Sequence, residues 1–255
     1  INFPVSENGR LSLRYSLGFE EVLDVSDGSD ARLESSDLLQ QDQAKGRETV
    51  SSVGYTYSFD SRTTGLNPDA GVIFRFSQDF AGVGGDKEYL RSTFFAGATT
   101  KVLSDEVTLR AVFEGGALNS LNDTTSAVTD RFGSSGRLRG FEPGGFGPRD
   151  RTAPANDALG GNYYAVVRLE ADFPIGLPEE YGISGGVYFD AGSVWGLDDD
   201  RSGTIDDSLS LRSAIGVSIF WNTAIGPLRF NFSKPLEFED FDKTETFDLS
   251  VSTSF

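Results

Sequence analysis

The chain of 255 residues contains no cysteine, no methionine and no histidine. Without cysteine there is neither a disulfide framework nor a thiolate nucleophile. Without histidine the commonest general base and metal ligand is missing. Basic residues are also few, 22 against 39 acidic ones, and the formal charge of -17 argues against a nucleic-acid partner. A hydrolase would need carboxylates alone, and these fall mainly in predicted loops, so we expect no enzyme activity.

Long apolar runs are missing as well. No segment approaches the roughly 18 residues that a transmembrane helix needs. The chain starts at Ile1 without a signal-peptide pattern, as expected of a mature segment or a fragment. A closed β-barrel satisfies its backbone hydrogen bonds between strands and can cross a membrane without such a helix, so the missing helix does not exclude a membrane protein.

What the chain has from end to end is alternation of apolar and polar residues with a period of two, which predicts β-strands. About ten strands of the 9–11 residues that cross a bilayer are expected. No helix longer than a turn and no second domain are predicted, so residues 1–255 form one all-β unit. The alternating segments are 11–19, 52–59, 72–77, 90–94, 107–114, 163–173, 183–190, 211–221, 228–233 and 247–255.

Alternation fits both a soluble sandwich and a transmembrane antiparallel barrel, which differ in the face that meets the solvent. Three features favour the membrane: Phe and Leu dominate the apolar phase, short connections alternate with long polar ones, and the chain ends on an aromatic residue in a strand. Arginine recurs in the polar phase, which suits a wet interior. We therefore predict a transmembrane β-barrel, with a soluble acidic adhesin as an alternative.

The longest connection, about 132–157, carries Arg139-Gly140-Phe141 in a glycine-rich stretch. A cationic Arg-Gly-aromatic tip on a long barrel loop favours a plug or lock over a catalytic centre. Glycine permits the tight bend that such a tip needs.

This motif and three later ones, in order, resemble the BamA family of outer-membrane protein assembly factors. The family has a 16-stranded barrel preceded by periplasmic POTRA domains, so the resemblance implies the C-terminal portion of such a barrel. It covers residues from about 130 onward strongly and residues 1–120 weakly. The matching stretches are Leu138 to Phe141 with Gly147-Pro148-Arg149, Ala158 to Asn162, Phe189 to Trp195 and Ile225 to Phe230.

The resemblance implies that the loop arginine enters the barrel and pairs with acidic residues on the two following strands. The matching residues are Arg139, Glu170 and Asp190. Strand parity supports this independently, because both carboxylates fall in the polar phase, and a guanidinium fork can bridge two carboxylates. The alternative is a solvated loop arginine, with Glu170 paired to Arg168.

The last strand, from about residue 244, is the second candidate site. The resemblance implies a weak seam here that offers its edge to a substrate strand by β-augmentation. The family often has a kinking glycine where this chain has Ser252, and the aromatic C-terminus also serves as an export signal. The seam strand and signal comprise Phe247, Leu249, Val251 and Phe255.

An acidic loop, 198–206, has the oxygen spacing of an EF-hand but lacks the glutamate at position twelve, where Leu209 stands, so we expect an ordinary surface loop and no metal site.

The resemblance implies a factor that folds and inserts unfolded outer-membrane proteins in the cell outer membrane. Accessory lipoproteins and outer-membrane lipid would be its partners, and no cofactor is expected. The alternatives are a polypeptide-secreting transporter of the same superfamily, either TamA-like or of the two-partner secretion type, and a passive porin.

Overall fold

The computed structural model describes residues 1–26, 33–62, 70–104, 106–122, 124–201, 203–223 and 226–251, without the side chains of residues 179 and 251. Strands dominate the described chain. In chain order the elements are β1 (Asn2–Pro4), β2 (Gly9–Glu20), α1 (Asp37–Ala44), β3 (Glu48–Asp60), β4 (Gly71–Ala81), β5 (Tyr89–Val102), β6 (Val107–Ser120), β7 (Arg149–Asp150), β8 (Tyr163–Phe173), a 3-10 turn (Glu179–Tyr181), β9 (Ile183–Trp195), β10 (Ile205–Asp206), β11 (Arg212–Thr223), β12 (Gly226–Glu237) and β13 (Phe247–Val251).

Eleven of these strands form one antiparallel sheet whose spatial order follows the chain, from β1 to β13. Only β7 and β10 lie outside it, and they pair with each other. All ten predicted strands are present, so the prediction of an all-β antiparallel sheet is confirmed; the three-residue β1 is additional. Within the described residues the sheet is open, with β1 and β13 at its two ends.

The two faces of the sheet have opposite character. On β9 the neighbouring residues Phe189 and Asp190 are 38% and 0% exposed. The face that carries Phe189, the outer face, displays large apolar side chains on almost every strand. A soluble protein rarely exposes so wide an apolar surface, whereas lipid favours one. Its most exposed strand residues include Tyr15, Leu17, Phe19, Val217, Phe247 and Leu249.

The inner face carries the charged residues, and the register fixes which of them are neighbours. Across β8 and β9, Arg168 pairs with Asp190 and Glu170 pairs with Tyr188. Glu170 and Asp190 therefore lie on adjacent strands, one pleat apart and on the same face, as their parity in the sequence predicts.

The sheet curls around this inner face. Strand spacing would place β8 and β12, three neighbours apart, roughly 14 Å from each other in a flat sheet. Glu170 of β8 nevertheless forms a direct ion pair with Arg229 of β12. The curl turns the inner face into a concave wall.

The long connections lie together at one end of the sheet. The connection between β6 and β8, residues 121–162, is the longest and is hereafter the long loop. Lys87, on the β4–β5 connection, anchors it by donating to Asp130 at 2.9 Å and to Glu20 at the end of β2 at 2.7 Å. The loop is therefore fixed to strands far from its own ends.

The prediction that no helix exceeds one turn is wrong, because α1 has eight residues. Ser36 caps it by accepting a hydrogen bond from the Leu38 amide at 3.4 Å. Leu38 and Leu39 pack with Leu159 and Ile205 from two other loops. These contacts are distant in sequence, which explains why local periodicity did not reveal the helix. No helix in the described residues is long and apolar enough to cross a membrane.

Candidate functional site

The side chain of Arg139 extends from the long loop to the concave inner face of the sheet. Its Nε and Nη2 donate to the two oxygens of Asp190 at 2.7 and 2.6 Å, a bidentate fork. Its Nη1 donates to Glu170 Oε2 at 2.6 Å, and its backbone amide adds a bond to Asp190 Oδ2 at 3.1 Å. The side chains of Arg139, Glu170 and Asp190 are 15%, 9% and 0% exposed. The structure thus brings together the three residues named from the sequence.

An aromatic ring stacks against the guanidinium of Arg139. The Arg139 Cζ lies 3.5 Å from the centroid of the Tyr188 ring, a cation–π contact. The Tyr188 hydroxyl is hydrogen-bonded to the Ser233 hydroxyl. Across the sheet Tyr188 pairs with Gly216, where a Cβ would collide with the ring. Sequence reasoning missed Tyr188, although an inner-face tyrosine opposite an inner-face glycine was a usable signal.

Glu170 is shared among three arginines rather than held by one. Arg110 on β6 donates to its Oε1 at 3.3 Å, and Arg229 on β12 donates to both of its oxygens. Arg168, the alternative partner considered from the sequence, pairs with Glu114 instead. Parity placed both arginines on the inner face; Arg110 lies directly opposite Glu170 on the neighbouring strand, whereas only the curl of the sheet brings Arg229 to it.

Gly140 and Phe141 shape the loop behind the arginine. Gly140 has φ +87°, which favours glycine, and a Cβ there would lie 3.1 Å from Ala214 Cβ and 3.2 Å from Ser233 Cβ. Phe141 is 4% exposed and its ring lies edge-on to Phe146, with centroids 5.2 Å apart. Phe141 also belongs to a buried apolar cluster that includes Val166 and Ala214 of the wall, so all three residues of the tripeptide are held against it.

The loop also pairs with the connection that leads into β13. The amide of Glu142 donates to the Lys243 carbonyl at 3.0 Å, and the amide of Lys243 donates to the Gly145 carbonyl at 2.8 Å. The amide of Glu245 donates to the Gly140 carbonyl at 3.1 Å. Nothing in the local sequence indicated this pairing, because about 100 residues separate its two sides.

The terminal strand β13 pairs with β12 over five residues, and no strand in the described part of the chain covers its other edge. Phe247 and Leu249 point outward and are about half exposed. The backbone of Val251 is paired to Leu228. The remaining residue of the predicted seam strand, Phe255, lies outside the described residues, as does Ser252.

The acidic loop 198–206 has a structural role in the described residues. Asp198 accepts hydrogen bonds from the Ser120 hydroxyl at 2.6 Å, the Ser126 amide at 2.7 Å and the Asn162 amide group at 2.9 Å. Burial alone would raise the pKa of Asp198, but these bonds outweigh it and hold the pKa below its usual value. In the part of the chain that is described, no three acidic side chains are grouped so as to hold a metal ion.

A family model, the Omp85 superfamily domain, matches residues 1–255. The chain belongs to the Omp85 superfamily. Among curated relatives, the outer membrane protein assembly factor BamA of Neorickettsia risticii (strain Illinois) is 30% identical over 255 residues, all of this chain and 33% of that protein. The human sorting and assembly machinery component 50 homolog is 31% identical over 133 residues, 51% of this chain and 27% of that protein.

The Omp85 fold is also supported by a solved structure. The crystal structure of BamA from Haemophilus ducreyi lacking POTRA domains 1-3 matches with a TM-score of 0.78 at 21% identity, covering 100% of this chain and 53% of that chain. At this identity the match shows the fold, which is that of a transmembrane β-barrel segment. This Omp85 chain spans about a third of the length of its Neorickettsia relative.

Proposed function

We propose that this chain forms the C-terminal part of the barrel of an outer-membrane protein assembly factor in the bacterial outer membrane. Its substrates are unfolded outer-membrane proteins, which it folds and inserts through a lateral seam at β13. The observation that carries the proposal is the docked Arg139, held by Asp190 and Glu170 inside the sheet. A passive pore has no need of a loop arginine fixed by two buried carboxylates of the barrel wall.

The long loop, with 132–157 as its central part, acts as a lock. Arg139 joins the loop to β8 and β9, and the backbone bonds of residues 140–145 join it to the connection before β13. The lock keeps the wall beside the terminal strand rigid, while the terminal strand itself offers an edge. Each unpaired backbone group in lipid costs several kcal/mol, so an incoming strand that pairs with that edge is strongly stabilised.

The activity needs no bond-making chemistry, and we assign no catalytic residue and no cofactor. The free energy comes from strand pairing and from burial of apolar side chains in lipid. Outer-membrane lipid contacts the outer face, and accessory lipoproteins complete the machine. The formal charge of -17 disfavours nucleic acid as a partner.

The test is the folding of a small outer-membrane protein into liposomes that contain the intact protein, followed by heat-modifiability on gels. The wild type should accelerate folding over empty liposomes, and Arg139→Ala should lose most of that acceleration. Arg151→Ala removes an exposed arginine from the same loop and serves as the matched control. No acceleration by the wild type, or large and stable single-channel conductance instead, would contradict the proposal.

A further inference from the structure

A continuous path of polar side chains leads from the lock to the terminal strand. Glu170, which binds Arg139, also pairs with Arg229 on β12. The Arg229 Nε donates to Asn231 Oδ1 at 2.8 Å, and the Asn231 Nδ2 donates to Asp248 Oδ2 on β13 at 2.9 Å. These five residues, Arg139, Glu170, Arg229, Asn231 and Asp248, are called the inner relay.

Asn231 is the element of the inner relay that joins an arginine to a carboxylate. It is 2% exposed, so each of its polar atoms needs a partner. Its oxygen accepts from Arg229 and from the Ser218 hydroxyl at 2.7 Å, while its nitrogen donates to Asp248. Only a side chain with both an acceptor and a donor can do this, and aspartate here would place two carboxylates together.

The contact joins β13 to its neighbouring strand β12. The strand β13 pairs with β12 over five residues, and in the described residues no strand covers its outer edge. In the register, Asn231 and Asp248 are directly opposite each other. Their side-chain bond, one pair from the start of β13, therefore reinforces the pairing of β13 with β12 and opposes a shift in register.

We propose that the inner relay couples the lock to the terminal strand, so that docking of Arg139 holds β13 on β12 and loss of the docking loosens it. Arg229 and Asn231 are then positioning residues that act through Asp248. The inference deepens the proposed function and takes its biological meaning from it. Because coupling between sites is reciprocal, a change that loosens β13 from β12 would weaken the docking of Arg139 by the same factor.

A second route exists between the same two places. The backbone bonds between residues 140–145 and 243–245 also tie the lock to the start of β13. The two routes are separable, because Asn231→Ala breaks the side-chain path and leaves that backbone pairing untouched.

Amide hydrogen exchange of the intact protein in lipid nanodiscs, without substrate, measures the attachment of β13 directly. Loss of one buried hydrogen bond to a charged group should speed exchange of segment 247–251 by about tenfold in Asn231→Ala. Arg139→Ala should speed the same segment, and the double variant should exchange no faster than the more affected single variant. Ser193→Ala, which removes a buried hydroxyl that has no hydrogen-bond partner in the described residues, should leave this exchange unchanged.

Unchanged exchange of 247–251 in Arg139→Ala, or single effects that multiply in the double variant, would overturn the coupling. If Asn231→Ala does not fold, Asp248→Ala removes the same bond between Asn231 and Asp248 at a less buried position, and the same predictions apply to it. The readout needs no substrate, so a protein that fails to insert outer-membrane proteins can still show the coupling. Conversely, normal insertion of outer-membrane proteins together with unchanged exchange of 247–251 in Arg139→Ala would refute the inner relay and leave the proposed function standing.

Discussion

Replacing Arg139 by alanine should destabilise the folded barrel because it leaves a buried charge without its partner. The Asp190 side chain is fully buried, and the substitution removes both of the side-chain bonds that it receives from Arg139. Breaking one side of a buried ion pair costs about 3–5 kcal/mol. Asp190 keeps the bond from the backbone amide of residue 139, and Glu170 keeps two other arginines, so we expect about 3 kcal/mol, at the lower end of that range.

Two further variants test the cause of that loss. Arg139→Lys keeps the charge but loses the planar fork, and should cost about 1–2 kcal/mol. Combining Arg139→Ala with Asp190→Ala removes the unpaired carboxylate, so the double variant should lose less stability than the sum of the two single variants.

Urea unfolding in lipid vesicles measures these changes through tryptophan fluorescence. The chain has two tryptophans, Trp195 and Trp221, on β9 and β11. If the free energy of unfolding of Arg139→Ala lies within about 0.5 kcal/mol of the wild type, the typical effect of a neutral surface change, the reasoning on the buried charge fails. An additive double variant would refute it as well.

Two other substitutions test the surroundings of the lock. Gly140→Ala should lower the free energy of unfolding in urea by about 2 kcal/mol or more, because it combines a positive φ with a crowded Cβ. Gly136→Ala has a positive φ but open space around the Cβ and should cost about 1 kcal/mol, so equal costs would contradict the packing argument. The lowered pKa of Asp198 contributes stability above its unfolded-state pKa of about 4, and this is lost as pH falls through the lower folded-state pKa. Asp198→Asn should therefore lose less stability than the wild type between about pH 5 and pH 2, and identical pH profiles would contradict this.

The fold was largely accessible from the sequence because strand parity is a local property. The face on which each residue lies follows from its neighbours two positions away, and parity alone places Glu170 and Asp190 on one face. The helix α1 was not predicted from the sequence because its eight residues contribute only two buried leucines, Leu38 and Leu39, and the partners of these leucines lie in remote loops.

The partners of Glu170 show where sequence reasoning stops. Arg110 lies opposite Glu170 on the neighbouring strand, so register alone accounts for that contact. Parity also places Arg229 on the inner face but says nothing of its distance from Glu170 across the interior. That distance depends on the curl of the sheet, which accumulates over many strands. The bond between Asn231 and Asp248 depends in turn on the register of β13 against β12, which the alternation of residues alone does not fix.

The central claim, that the docked lock presents the terminal strand to a substrate strand, is tested most directly by cross-linking at β13. Leu249→Cys places a single thiol on the outer face of β13, away from the inner relay, in a chain with no other cysteine. A substrate with a cysteine in its C-terminal strand should form a disulfide there during assembly, and much less of it when Arg139→Ala is added. No disulfide, or an equal yield in both backgrounds with equal amounts of folded protein, would contradict the account.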